Sequence, residues 1–80
     1  MSKKLDLYYF PSCPFCRRVA EVITELGMEK RIEMKNTMES EEALNFLLEK
    51  TGKRTVPCLF IDGVPMFESA DIIRWLKENC

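Results

Sequence analysis

Across residues 10–15 the hydrophobic pattern changes its period. The apolar run Leu5-Asp6-Leu7-Tyr8-Tyr9-Phe10 stops at Pro11. From Phe15 to about Gly27, Cys16, Val19, Ala20, Ile23 and Leu26 recur at helical spacing, with Arg17, Arg18, Glu21 and Glu25 largely on the opposite side. A strand that runs straight into an amphipathic helix is the first half of a βα unit, and its junction carries Cys13-Pro14-Phe15-Cys16. Two thiols one turn apart at a helix start are placed for redox chemistry. Exposed N–H groups and the positive end of the helix dipole favour the thiolate at Cys13, and Cys16 is near enough to close a disulfide with it.

The rest of the chain extends the same alternation. Lys30 to Lys35 alternates, with Ile32 and Met34 apolar between charged neighbours, and predicts a second strand. Glu39 to Thr51 predicts a second helix: Leu44, Leu47 and Leu48 share a face, acids fill the first turn, Lys50 lies in the last, and Gly52 follows. Val56-Pro57-Cys58-Leu59-Phe60-Ile61 reads as a third strand started by Pro57, Asp62-Gly63 as a hairpin turn, and Val64 to Phe67 as a returning fourth strand. Pro65 has no N–H to give a ladder, so the fourth strand belongs at an edge. Ser69 is the expected N-cap of a last helix containing Ile72, Ile73, Trp75 and Leu76. The predicted order is βαβαββα in one domain spanning residues 1–80, for no Pro/Gly/Ser-rich stretch or repeat marks a boundary.

Charge and cysteine usage narrow the function classes. A net charge of −1 supplies no basic stripe for nucleic acid. Asp6 interrupts any apolar leader at the amino terminus, and no segment approaches the length of a membrane span, so the expectation is a cytoplasmic protein with no membrane partner. In that reducing setting a Cys-x-x-Cys pair is catalytic or metal-binding more often than structural. Zinc asks for four ligands, but the chain has no histidine, and Cys58 and Cys80 form no second pair, so no metal site is expected. Cys58 reads as an inert strand thiol, Cys80 as an exposed terminal one, and Met28, Met34 and Met38 as packing residues.

Three motifs in this order resemble those of the glutaredoxins of the thioredoxin superfamily: Cys13-Pro14-Phe15-Cys16, Thr55-Val56-Pro57, and Phe67-Glu68-Ser69-Ala70-Asp71. The resemblance covers essentially the whole chain. It implies an α/β thioredoxin-like fold, a four-stranded mixed sheet flanked by three helices, and a cis Val56–Pro57 bond. It also implies a glutathione-dependent thiol–disulfide oxidoreductase acting on glutathionylated or disulfide-containing proteins as a monomer, with glutathione as co-substrate and no tightly bound cofactor. Cys13 is then the attacking thiol and Cys16 the resolving one. Val56, between Thr55 and Pro57 and with Arg54 nearby, is implied to pair its backbone with the cysteinyl part of glutathione, and Ser69 and Ala70, next to Glu68 in the same site, to hold its γ-glutamyl carboxylate. Helix N-termini bind carboxylates in any case. Asp71 either meets the γ-glutamyl ammonium or acts only on the helix dipole.

The chain also departs from the family. Glu68-Ser69 stands where many glutaredoxins have Gly-Gly, and looks like the glutathione-site pair of glutathione transferases. Phe10 stands where a lysine commonly supports the thiolate, leaving Arg17, Lys53 or Arg54 as replacement cations. Two other readings keep the fold: a glutaredoxin-like thioredoxin reduced by a flavoprotein, and an iron–sulfur scaffold held through the first thiolate and glutathione. Pro14 after Cys13 counts against the scaffold, because cluster-binding members usually lack it.

Overall fold

The computed structural model describes residues 3–79. In chain order it contains β1 (Leu5–Tyr9), α1 (Pro14–Glu25), β2 (Ile32–Asn36), α2 (Glu41–Thr51), β3 (Cys58–Ile61), β4 (Val64–Met66) and α3 (Ser69–Asn79). The sheet order is β2-β1-β3-β4, with β1 parallel to β2 and antiparallel to β3, and β3 antiparallel to β4. This is the mixed four-stranded, three-helix thioredoxin-like architecture implied by the resemblance. β4 is the edge, with Pro65 opposite Phe60, where a missing N–H costs no interior ladder bond.

Strand alternation divides the core into two layers. Leu5, Leu7 and Leu59 face α1 and α3, where they pack with Val19, Ile23, Met28, Ile32, Ile72 and Leu76. Tyr8, Cys58 and Phe60 face the other way and pack with Ala43 and Leu47 of α2. Tyr8 stacks on Phe46 with centroids 5.5 Å apart, and Phe60 meets both rings edge-on. Asp6 lies on this α2 side, opposite Glu33 and Phe60 in the ladder. One of its carboxylate oxygens is buried with no hydrogen-bond partner among the described residues.

Local hydrogen bonds move several element ends from where the apolar pattern puts them. Phe10 leaves β1 because its carbonyl accepts from Cys13 N–H (3.2 Å), closing a turn. Pro14, without an N–H to satisfy, takes the first helical position ahead of Phe15. Beyond α1, Gly27 at φ 67° lets its own N–H reach Thr24 and the Met28 N–H reach Ile23. Those paired bonds end the helix and tuck Met28 into the core. β2 starts at Ile32 because Arg31 N–H is spent on Met28 carbonyl in a turn. Glu39 likewise stays outside α2: Asn36 Oδ1 accepts from the N–H groups of Met38 and Glu39, and Ser40 caps the helix by accepting from Ala43 N–H (3.2 Å). Pro57 precedes β3, whose ladder begins with the Cys58–Tyr8 pair.

Candidate active site

β1 delivers the chain to the reactive turn, and its end is held on β2's side: Tyr9 carbonyl accepts from both the N–H (2.8 Å) and hydroxyl (3.0 Å) of buried Thr37. Cys13 is the N-cap of α1, its extended backbone (φ −82°, ψ 119°) presenting the carbonyl that accepts from Arg17 N–H. Its side chain makes no cap bond, so the sulfur lies at the positive end of the helix beside the otherwise unpartnered first-turn N–H groups. Cys16, one turn on, points into the core: it is 1% exposed against 7% for Cys13. Burial pushes the Cys16 thiol up to about 12, opposed by the Phe10 backbone, with the neighbouring Cys13 sulfur adding smaller upward pushes. Cys16 is therefore a protonated donor behind Cys13 at neutral pH.

Next to the thiol turn lies a hollow of about 130 Å³ lined by Phe15, Thr55, Val56, Pro57, Glu68 and Ser69. The Val56–Pro57 peptide is cis. A second hollow of about 270 Å³ is lined by Arg18, Ser69, Ala70 and Ile73. Six of the eight candidate binding residues thus line one or the other hollow; Arg54 and Asp71 are exposed and line neither. Asp71 stays in the first turn of α3, where its charge complements the helix dipole.

Ser69 is not the N-cap expected for it. It is the first residue of α3, and the carbonyl that opens the helix, accepting from Ile72 N–H at 3.0 Å, belongs to Glu68. Glu68 has a φ of 69°, the left-handed region that glycine enters most easily and that the family's Gly-Gly would suit. Of the candidate cations, Lys53 sits over the Phe67 ring with its nitrogen 5.4 Å from the centroid. Arg17 and Arg54 are exposed and line neither hollow. Cys58 is fully buried behind Pro57, and burial raises its thiol to about 11, which fits the inert reading. Cys80 lies outside the described residues.

The sequence gives no firm binding role to Phe15, Arg18 or Ile73, yet all three line the hollows. The available signal was the three-residue spacing of Phe15 and Arg18, which places them on one flank of α1. Nothing in the sequence says that this flank faces the start of α3.

The chain matches the family model described as "Glutathione S-transferase, N-terminal domain" over residues 7–80. It is 30% identical to glutaredoxin-1 of Homo sapiens, in an alignment covering 94% of this chain and 83% of that protein. Among solved structures it is similar to a wheat glutaredoxin (TM-score 0.69, 30% identity, 92% of this chain and 71% of that one). It is also similar to a rice glutathione transferase solved in complex with glutathione (TM-score 0.74, 28% identity, 99% of this chain and 34% of that one).

Proposed function

The chain belongs to the glutaredoxins of the thioredoxin superfamily, and on that premise we propose that it reduces protein–glutathione mixed disulfides and protein disulfides through Cys13. As a glutathione-dependent oxidoreductase it uses glutathione to restore the thiol. The observation that carries the finer reading is the asymmetry of the pair: Cys13 at the helix start, Cys16 buried behind it as a thiol raised to about 12. The hollow formed by Phe15, Thr55, Val56, Pro57, Glu68 and Ser69 supports glutathione as the group recognised beside it.

On the mixed-disulfide route, Cys13 thiolate attacks the glutathione sulfur, the S–S bond to the protein breaks, and the protein thiolate leaves and takes a proton. A glutathione thiolate then attacks the sulfur of the glutathione bound to Cys13. Oxidised glutathione departs and Cys13 thiolate returns. Cys16 takes no part in this cycle. With a protein disulfide, Cys13 forms the first mixed disulfide. Cys16 then gives up its proton, which ends on the leaving protein thiolate, and closes a Cys13–Cys16 bridge. Two glutathiones reduce the bridge and become one oxidised glutathione. Because Cys16 starts as a buried thiol, its deprotonation is a step only the second route requires.

Glutathione-coupled turnover of the two substrate types tests this. Cys13→Ser abolishes both activities; Cys16→Ser keeps reduction of a glutathionylated substrate and loses that of a protein disulfide. Retention of turnover by Cys13→Ser, or reduction of the wild-type protein only by a flavoprotein thioredoxin reductase, refutes the reading.

A further inference from the structure

Thr37 follows β2 and is buried, 8% exposed, yet it lines neither hollow. It places both of its donors on one oxygen: the Tyr9 carbonyl accepts from its N–H at 2.8 Å and from its hydroxyl at 3.0 Å. The N–H alone continues the parallel β1–β2 ladder past the Tyr9–Asn36 pair. The hydroxyl is then surplus to strand pairing, and what it adds is polarisation of the Tyr9–Phe10 peptide. A peptide unit is planar, with its carbonyl and its N–H on opposite edges, so two donors on the Tyr9 oxygen make the Phe10 N–H a stronger donor. That N–H gives to no backbone carbonyl among the described residues. It serves the resolving thiol instead: the Phe10 backbone favours the Cys16 thiolate over the buried thiol, which only a donor can do. The carbonyl of Phe10 accepts from Cys13 N–H at 3.2 Å, so this short stretch of backbone links Thr37 to both cysteines.

We infer that Thr37 is a positioning residue for the resolving step, its hydroxyl fixing and polarising the Tyr9–Phe10 peptide whose N–H supports the Cys16 sulfur as it becomes a thiolate. This rests on the proposed resolving role of Cys16. The step it serves is bridge closure: Cys16 loses its proton, its thiolate attacks the Cys13 sulfur, the bond from Cys13 to the departing thiol breaks, and that thiolate takes up a proton. Attack by Cys13 itself needs no charge on Cys16, so the first step does not draw on the Thr37 hydroxyl.

The test mixes the reduced protein with glutathione disulfide and follows it by rapid acid quench and mass spectrometry, which separates glutathionylation of Cys13 from closure of the Cys13–Cys16 bridge. Thr37→Val keeps the shape and the backbone N–H but loses the hydroxyl. It slows closure about two- to fivefold and leaves glutathionylation unchanged. Thr37→Ala does the same per folded molecule, and Thr37→Ser, which keeps the hydroxyl, closes at the wild-type rate. A residue that only steadied the fold would slow both steps together. Equal slowing of the two steps, wild-type closure in the Val and Ala variants, or a Ser variant as slow as Val overturns the assignment and leaves the proposed function standing. A wild-type protein that is glutathionylated on Cys13 but never bridges overturns the resolving role of Cys16 and the assignment with it. One that gains no glutathione on Cys13 overturns the proposed function as a whole.

Discussion

Cys13 and Cys16 are both buried and one turn apart, and what separates them is position: Cys13 caps the open start of α1 while Cys16 points into the core. Iodoacetamide at pH 7 is accordingly expected to modify Cys13 in the native protein and to spare Cys16 and Cys58, whose thiols burial holds near 12 and 11. Peptide mapping by mass spectrometry reads this directly, and alkylation of Cys16 ahead of Cys13 contradicts it. The thiol pair was legible in the chain because its spacing and helix start are local features. Ser69 was assigned one position off as an N-cap, because serine before an apolar run is the usual signal. The left-handed Glu68 that takes the cap position instead is not a conformation its side chain announces. Arg18 was unreadable for another reason: which flank of α1 meets α3 is decided by how the helices pack on the sheet.

The helices and strands owe their existence to hydrophobic period and their ends to single hydrogen bonds. α2 shows this well, since its acidic start at Glu39 is consistent with a helix, yet Asn36 captures the Glu39 N–H and hands the cap to Ser40. Ser40→Ala removes that cap and is expected to lower stability by about 1 kcal/mol in urea unfolding. Glutathione-coupled turnover per folded molecule should be unchanged, because Ser40 lines neither hollow of the site. A loss below a few tenths of a kcal/mol means that the Ala43 N–H finds another acceptor. The Asp62-Gly63 turn and the edge placement of Pro65 were read from sequence because glycine and proline state backbone constraints outright. The shift of β2 from Lys30 to Ile32 was not, since charged and apolar residues alternate equally well in either frame and only pairing with β1 fixes the register.

For the molecule as a whole, the two layers are unequal in size, and an ionisable group, Asp6, lies on the side of the smaller one. Burial, opposed by Lys4, holds the Asp6 carboxyl above its usual range, so the native state binds this proton more tightly than the unfolded chain. Its contribution to stability is therefore full below about pH 4, the unfolded range, and declines as pH rises through the native value. Asp6→Asn should unfold at higher urea than wild type at pH 7, by about 1 kcal/mol, and lose that advantage near pH 3, where the wild-type carboxyl is itself protonated. A variant less stable than wild type at pH 7 means that the Lys4 attraction outweighs burial. The same topology has a consequence for how such chains diversify. Thr55, Val56 and Pro57 enter the β3–β4 hairpin, and Glu68 and Ser69 leave it, so one contiguous stretch frames most of the hollow while the nucleophile rides on a separate loop some forty residues earlier. Ligand grip and reactivity are thus inherited on different cassettes. A chimera that exchanges residues 11–14 alone can alter the turn that holds the nucleophile and leave every residue lining the hollows in place.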